Sequence, residues 1–330
     1  MNPVLRFKPH SVDQISTVEK GRIVSQATQV IAITGASGMI GSSLSTDLSN
    51  QGHTVIPLQR GTRQPEGSDV FWDPNKQGVC DPQTLDGVDT VVHLAGENIA
   101  SGRWTAAQKQ RIRGSRVQAT RNLVRSLTQM NRPPATFICA SAIGIYGNRG
   151  SEQLTESSDP GSGFLAEVCR DWEEAATTAE SAGMRVVCVR IGVVLSTQGG
   201  ALAKMLTPFR FGLGGIVGNG NQYWSWIGLP DVVAILQEAI TNKSLQGPVN
   251  AVSPNAVNNR QFTKVLGNVL NRPTIFPLPG FAAKLMLGEM AEDLLLSSAH
   301  VVPEVLTRIG FQFQHADLES CLKYEIHSSA

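Results

Sequence analysis

The chain has 330 residues, of which 41% are hydrophobic and 17% charged, and its formal net charge is +1. These values indicate a globular protein, and near neutrality gives no reason to expect nucleic acid or an anionic membrane as partner. No apolar stretch approaches the roughly 20 residues that span a bilayer. The length suits one large α/β domain, or a nucleotide-binding domain with a smaller appendage.

Residues 1–29 are predicted to be a polar N-terminal extension. They are aperiodic and lack the apolar centre of a signal peptide. A secretory leader is therefore not expected, whereas an organellar transit peptide stays open.

The five cysteines include no CxxC pair, and no two of the six histidines stand at metal-ligand spacing. This usage favours a reducing compartment and a cytoplasmic location, and it predicts no metal site.

The first predicted strand, Val30–Thr34, runs into three glycines spaced three residues apart and then into a predicted helix over 42–50. This succession is typical of a turn that cradles the pyrophosphate of a dinucleotide at a helix N-terminus. A glycine triplet alone is a weak signal in a chain with 32 glycines, but the flanking strand and helix strengthen it. The predicted cofactor contacts in the turn are Gly35, Ser37, Gly38, Met39 and Ile40.

A second strand is predicted over 53–58, and the residues at its end favour one dinucleotide. A carboxylate there would bind the ribose 2′-hydroxyl of NAD, whereas an arginine accommodates the additional phosphate of NADP. The chain has Gln59 and Arg60, with Arg63 close behind and no Asp or Glu between them. We therefore predict NADP(H), bound by Gln59 and Arg60, with a merely solvated arginine as the alternative.

A third buried strand is predicted over 89–94 and leads into small residues. Small residues would let the adenosine half of a cofactor lie against the backbone. Glu97 and Asn98 could contact ribose or substrate, or could simply cap the loop. The predicted cofactor contacts here are Leu94, Ala95, Gly96 and Glu97.

Strands and helices continue to alternate, with helical spacing over 105–130 and 164–182 and strands over 136–140 and 185–191. This rhythm predicts an α/β fold with a doubly wound parallel (Rossmann) sheet. After about residue 196 the rhythm loosens, and helices are predicted over 229–241, 259–270 and 281–298. We divide the chain into an NADP(H)-binding Rossmann domain, 30–200, and a smaller C-terminal substrate-side region, 201–330.

Four motifs occur in this order: Thr34-Gly-x-x-Gly-x-x-Gly41, His93-Leu-Ala-Gly-Glu-Asn98, Ser141-x-x-x-x-Tyr146-Gly147 and Arg190-x-Gly192-x-Val-Leu195. Together they resemble the extended short-chain dehydrogenase/reductase superfamily. Further strings place the closest similarity in an atypical epimerase-like family, whose members are called nucleotide-sugar epimerases or SulA-like cell-division inhibitors. They are the His93–Asn98 motif itself, Gly114-Ser115-Arg116, the helix from Phe164 to Glu173, and Pro208-Phe-Arg-x-Gly-Leu-Gly-Gly215.

The resemblance covers about residues 30–325. It implies NADP(H) bound by the glycine turn, by Gln59 and Arg60, by Leu94 and Ala95, and by residues near Arg116 and Val194. It also implies a C-terminal region that closes over the substrate, with a family module at about 280–328.

The chain departs from the superfamily at the catalytic Tyr-x-x-x-Lys pair, in which the lysine lowers the tyrosine pKa for proton exchange during hydride transfer. None of the three tyrosines has a lysine four residues later, and the stretch 164–169 contains neither residue. The usual asparagine is replaced by Ser115 or Arg116, and the usual serine is Ser141 or is lost at Ala142.

Other residues could take the catalytic role of the missing pair if they lie at the site. Tyr146 lies just past the carboxyl edge of the predicted sheet, where ligands bind in open α/β folds, so Tyr146 and Ser141 are the candidate catalytic residues. The alternative for Tyr146 is a structural role. Glu167 is expected to be solvated on a charged helix, and Arg116 either binds a phosphate or faces solvent.

A glycine-rich stretch over 218–227 holds Tyr223, Trp224 and Trp226, which could stack on a sugar or base or could belong to the core. The histidine that the family usually shows after Trp-Ile is missing, because Gly228-Leu229-Pro230 replaces that stretch.

Two functions are compatible with these features. One is an NADP(H)-dependent oxidoreductase or epimerase acting on a small polar substrate, nucleotide-linked compounds included. The other is a catalytically weak NADP(H)-binding regulatory protein, for which a cell-division protein is the expected partner. A homodimer stays open, and no nucleic acid or membrane partner is expected.

Overall fold

A computed structural model of the protein describes residues 28–61, 70–76, 78–79 and 82–327. Most of the predicted N-terminal extension, together with Arg63, lies outside the described residues.

The strands are β1 Val30–Thr34, β2 Thr54–Arg60, β3 Val70–Asp73, β4 Gly78–Val79, β5 Thr90–His93, β6 Thr136–Ala142, β7 Gln153–Leu154, β8 Arg185–Ile191, β9 Val193–Leu195, β10 Tyr223–Trp224, β11 Trp226–Gly228, β12 Gly247–Ala251, β13 Val257–Asn258 and β14 His300–Val301. The α-helices are α1 Met39–Asn50, α2 Ala106–Arg113, α3 Ala119–Thr128, α4 Phe164–Thr177, α5 Gly200–Arg210, α6 Leu229–Thr241, α7 Asn259–Leu270, α8 Gly280–Leu287, α9 Glu289–Ala291, α10 Glu304–Arg308 and α11 Leu318–His327. Short 3₁₀ helices span Pro82–Leu85, Ile143–Tyr146 and Thr178–Ala182, and π-helical turns span Gly114–Gln118 and Glu292–Leu296.

The central sheet has the strand order β12-β8-β6-β5-β1-β2-β3-β4, in which β4 alone is antiparallel to its neighbour. The chain builds outwards from β1 to β3 on one side and from β5 to β12 on the other. The order therefore reverses between β1 and β5, which is where doubly wound sheets bind ligands at the carboxyl ends of their strands. This arrangement confirms the predicted Rossmann fold.

Alternation along the strands gives the sheet two buried faces. Ile31 and Ile33 of β1 pack with α1 and α6 on one side, whereas Ala32 packs with α3 and α4 on the other. All five of the residues Ile31, Ile33, Ala32, Val91 and Val92 are fully buried. Because both faces are covered by helices, inner strands such as β1 and β6 are buried along almost their whole length, as is expected for parallel strands.

The C-terminal part contributes to the sheet and also forms its own core. Strand β12 pairs with β8 from Gly247 to Ala251, so the sheet takes its eighth strand from beyond residue 200. Leucines and aromatic residues of α5, α7 and α11 pack around Trp224, Trp226 and Phe262.

Candidate functional site

The glycine turn lies at the reversal point, between β1 and the N-terminus of α1. Gly35 has φ +72°, and a Cβ there would lie 2.9 Å from both the Ala95 nitrogen and the Leu94 carbonyl carbon. A Cβ on Gly41 would collide with the carbonyl oxygen of Gly35. Glycine is thus required for the turn at one position and for helix packing at the other, the roles that the predicted pyrophosphate cradle assigns to them.

Helix α1 presents its N-terminus to this turn. Gly38 is its N-cap, Gly38 donates to the Gly35 carbonyl at 3.0 Å, and the first turn of α1 contains no acidic residue. The first N–H groups of a helix have no internal acceptors and carry partial positive charge. An anion can therefore bind here without opposing side-chain charge.

A cleft of about 910 Å³ extends from the turn along the end of β2. Gly35, Ser37, Gln59, Arg60 and Ala95 line it, five of the predicted cofactor contacts. None of the described lining residues is a carboxylate, and Arg60 is exposed at the rim. The structure brings an exposed cation and an open helix N-terminus together along one cleft.

The floor of the site is held by a buried hydrogen-bond chain. Thr34 Oγ1 lies 2.6 Å from His93 Nδ1, His93 Nε2 lies 3.0 Å from Thr120 Oγ1, and the Ala95 N–H donates to Thr34 Oγ1 at 3.2 Å. Burial, together with the charge of Arg116, lowers the pKa of His93 to about 3. A neutral imidazole thus ties the ends of β1 and β5 together at the reversal point.

Arg116 lies in the π-helical turn that follows α2, with its guanidinium beneath the segment after β5. Nη1 donates to the carbonyl of Glu97 at 3.0 Å, and the guanidinium carbon lies 5.2 Å from the centre of the Trp172 ring. Ser115 holds the same segment, because its Oγ accepts from the Glu97 N–H at 3.0 Å. Arg116 therefore faces inwards and is not on a solvated helix face.

The catalytic candidates Tyr146 and Ser141 lie in a different, sealed cluster around Arg190. Arg190 forms two hydrogen bonds of 2.8 Å to the carboxylate of Glu173 and donates to the Tyr146 hydroxyl at 2.8 Å. Ser141 Oγ donates to Glu173 Oε1 at 2.6 Å. The Tyr146 hydroxyl also donates a hydrogen bond to Asn250 Oδ1 at 2.7 Å.

This cluster is shielded from solvent. Tyr146 is 0% exposed and Ser141 3% exposed. Burial raises the pKa of Tyr146, although Arg190 acts in the opposite direction. Burial would lower the pKa of Arg190, but its hydrogen bonds to Glu173 outweigh that effect and the pKa is raised. A proton donor must reach its substrate, so this geometry favours the structural alternative for Tyr146, and Ser141 is buried in the same cluster.

The helix that carries the superfamily's Tyr-x-x-x-Lys pair corresponds to α4, which begins at Phe164. Phe164 stacks edge-on against Trp104, and Lys109 lies over its ring at 5.0 Å. Glu167 is exposed on this helix, as expected for a solvated residue. Apolar packing thus replaces the missing pair at the start of α4.

Residues 193–204 cross the site on its other side. Val194 pairs with Ile227 in the short β9–β11 sheet, and a Cβ on Gly199 would lie 3.6 Å from the Met39 sulfur. Lys204 Nζ donates to the Ala100 carbonyl at 2.9 Å. This segment therefore links the start of α1 to the loop after β5, and it places Val194 and Met39 around the same site.

The aromatic residues of the 218–227 stretch serve packing. Trp226 is 0% exposed and donates from Nε1 to the Asn255 carbonyl at 3.0 Å, and Trp224 packs on Phe262. Tyr223 stacks on His300 with ring centres 4.3 Å apart. The core alternative for these residues is therefore the one that the structure supports.

No helix in the described ranges is both long and apolar enough to cross a membrane. Within the same part of the chain, no group of three or more His, Cys, Asp or Glu residues is placed to hold a metal ion.

Comparison with known families gives two matches. Residues 31–252 match the NAD dependent epimerase/dehydratase family, and residues 278–325 match a domain of unknown function, DUF1731. The epimerase family protein Mb2239 of Mycobacterium bovis is 44% identical over 299 residues, which cover 90% of this chain and 98% of that protein.

Two solved structures are similar over most of the chain. The crystal structure of human epimerase family protein SDR39U1 (isoform 2) with NADPH is 29% identical, with a TM-score of 0.79 over 90% of this chain and 99% of that chain. A nucleoside-diphosphate sugar epimerase from Corynebacterium glutamicum is 37% identical, with a TM-score of 0.75. That match covers 92% of this chain and 59% of the Corynebacterium chain. The glycine turn at the reversal point and these matches lead to one conclusion: the chain belongs to the NAD dependent epimerase/dehydratase family.

Proposed function

We propose that the protein is an NADP(H)-dependent oxidoreductase or epimerase that acts on a small polar substrate, nucleotide-linked compounds included. The observation that carries the cofactor choice is Arg60, exposed at the rim of a cleft whose described lining has no carboxylate. A carboxylate there would repel the 2′-phosphate of NADP(H), whereas an arginine pairs with it. The NADPH in the human SDR39U1 structure supports this choice.

In this proposal three groups of residues along the cleft bind three parts of the cofactor. Gln59 and Arg60 take the adenosine ribose with its phosphate, and the open N-terminus of α1 takes the pyrophosphate. Leu94 and Ala95 lie against the adenosine half, and the segment that follows them continues towards the nicotinamide half. When bound, the cofactor would supply or accept a hydride.

The chain's contribution to the reaction would be binding and orientation. Phe164 begins the helix on which the superfamily carries its tyrosine, and Tyr146 is sealed against Arg190 and Asn250. Rate enhancement would therefore rest on holding substrate and cofactor together.

Fluorescence titration of the purified protein with NADPH and NADH tests the cofactor choice. We expect NADPH to bind at least about 10-fold more tightly, because a charge-assisted hydrogen bond contributes about 1.5–3 kcal/mol. Arg60→Gln should weaken NADPH and leave NADH unchanged. Equal affinities in the native protein, or no effect of Arg60→Gln, would contradict the proposal.

A second candidate is an NADP(H)-binding protein with little turnover, whose bound form is read by a protein partner, a cell-division protein among them. The apolar start of α4 and the buried Tyr146 favour this alternative. Incubation with NADPH and a panel of carbonyl compounds separates the two. A parallel incubation with NADP⁺ and nucleotide sugars detects epimerisation, which consumes no net cofactor. NADPH oxidation or formation of an epimer supports the enzyme, whereas binding with neither supports the regulatory protein.

A further inference from the structure

Three cations near the site have a carboxylate partner. Arg113 pairs with Asp171, Lys109 with Glu289, and Arg190 with Glu173. Arg116 has no carboxylate oxygen within 4.0 Å among the residues that the structure describes, and its hydrogen-bond acceptors are two carbonyls and a hydroxyl. A charge withdrawn from water is normally paired, so this half-buried guanidinium is an exception.

The bonds of Arg116 also leave part of the guanidinium unused. All three contacts, to Glu97, Ile112 and Ser115, are made by Nη1. Nε and Nη2 of Arg116 make no hydrogen bond to any described residue, and both atoms are accessible to solvent. Arg185, in contrast, uses both Nη1 and Nη2 on carbonyls near the end of α6.

Gly96 leaves the guanidinium uncovered. A Cβ at position 96 would lie 3.3 Å from both the Arg116 guanidinium carbon and Nη2. Any side chain there would therefore rest on the guanidinium and occupy the space above it. The adjacent Ala95 lines the cofactor cleft, so the uncovered group lies beside that cleft.

Burial lowers the pKa of Arg116, while Cys169 and the carboxylate of Glu97 act in the opposite direction from beyond pairing distance. An arginine stays charged in a protein regardless of such shifts. The site thus holds a permanent positive charge with two directed donor atoms still available.

We propose that Arg116 binds a negatively charged group of the substrate, a carboxylate or a phosphate, beside the nicotinamide end of the cleft. This proposal rests on the proposed function, because it takes the NADP(H) cleft as given. In the proposed function the 2′-phosphate and the pyrophosphate of NADP(H) have partners, Arg60 and the N-terminus of α1, and the nicotinamide riboside carries no further anion. The remaining cation is therefore available to a second molecule, and its planar fork suits a carboxylate or phosphate.

The test uses the NADPH-saturated protein and two anionic probes, oxalate and inorganic phosphate, at constant ionic strength with chloride as reference. Binding is followed through the fluorescence of bound NADPH and by calorimetry. We expect saturable binding of at least one probe, weakened at least about 10-fold in Arg116→Met, because a hydrogen bond to a charged group is lost. Arg116→Lys should retain part of the affinity. Arg121→Met is the matched control, since Arg121 is exposed on the following helix.

Three results would overturn the proposal. They are no saturable probe binding to the native holoprotein, equal binding by native protein and Arg116→Met, or an equal loss in Arg121→Met. A fourth concerns the source of the anion. If Arg116→Met weakens the binding of NADPH but not that of adenosine 2′,5′-bisphosphate, Arg116 binds the cofactor's own pyrophosphate and the substrate proposal fails. Failure of the proposed function would look different, because the native protein would then bind NADPH and NADH with equal affinity, or bind neither of them.

Discussion

Two arginines near the carboxyl edge of the sheet, the buried Arg190 and the half-buried Arg116, differ in how many of their nitrogens form hydrogen bonds. Arg190 bonds to the Glu173 carboxylate, the Tyr146 hydroxyl and the Glu156 carbonyl through all three of its nitrogens. Arg116 bonds through Nη1 alone and has no carboxylate partner within the described structure. A cation whose donors are all used can only hold the fold together, whereas one with free donors can also bind a ligand.

The Arg190 cluster should show the largest effect on stability. We expect Glu173→Gln to lower the free energy of unfolding by about 3–5 kcal/mol, since it leaves a buried charge without its partner. Urea denaturation measures this loss, and Glu174→Gln on the exposed side of the same helix should change it by less than about 0.5 kcal/mol. Equal effects of the two substitutions would show that the Glu173 carboxylate does not stabilise the fold through Arg190.

His93 should make stability depend on pH. Its pKa is lowered to about 3 in the folded protein, so the unfolded chain binds the additional proton first as the pH falls through 6.5. The contribution of neutral His93 to the free energy of unfolding is complete above pH 6.5. It is lost as the pH falls towards 3, by up to about 1.4 kcal/mol per pH unit. The free energy of unfolding, measured by urea denaturation between pH 7.5 and 5, should fall less steeply with decreasing pH in His93→Gln than in the native protein. Parallel slopes would contradict a buried, neutral His93.

Tyr146→Phe separates a structural hydroxyl from a catalytic one. We expect a loss of about 1–3 kcal/mol in the free energy of unfolding, because Asn250 and Arg190 each lose a buried partner. NADPH affinity should be unchanged. If a measured turnover is abolished while stability is preserved, Tyr146 is catalytic as the sequence predicts.

Gly96→Ala should have the smallest effect on stability and a selective effect on binding. The new methyl group would cover the guanidinium of Arg116 from 3.3 Å. We expect oxalate binding by the NADPH-bound protein to weaken severalfold. The free energy of unfolding, measured by urea denaturation, should change by about 1 kcal/mol or less. Unchanged oxalate binding in Gly96→Ala would mean that the anion does not approach Arg116 from this side.

Local patterns were sufficient for the regular elements of the fold. The predicted strand 185–191 and the helices 229–241 and 259–270 coincide with β8, α6 and α7. Their boundaries agree because apolar periodicity is strong there and the capping residues, such as Asn258 before α7, are local.

Sequence patterns do not predict two elements, β12 and α5, whose composition is unfavourable for a strand and a helix. Strand β12 contains Gly247, Pro248 and Asn250, yet it pairs with β8 at the edge of the sheet, where a proline costs no central hydrogen bond. Helix α5 begins with Gly200 and contains Pro208, and it is held by packing against α7 and Trp224. In both cases tertiary contacts outweigh propensity.

The sequence by itself determined the glycine turn, the arginine after β2 and the absence of a Tyr-x-x-x-Lys pair, because each depends on residues close together in the chain. Only the tertiary structure showed that Tyr146 meets Arg190, 44 residues away, and that Gly96 leaves Arg116 uncovered. Whether a buried polar group is paired depends on neighbours that are distant in sequence. That distinction separates a cation that holds the fold from one that is free to bind.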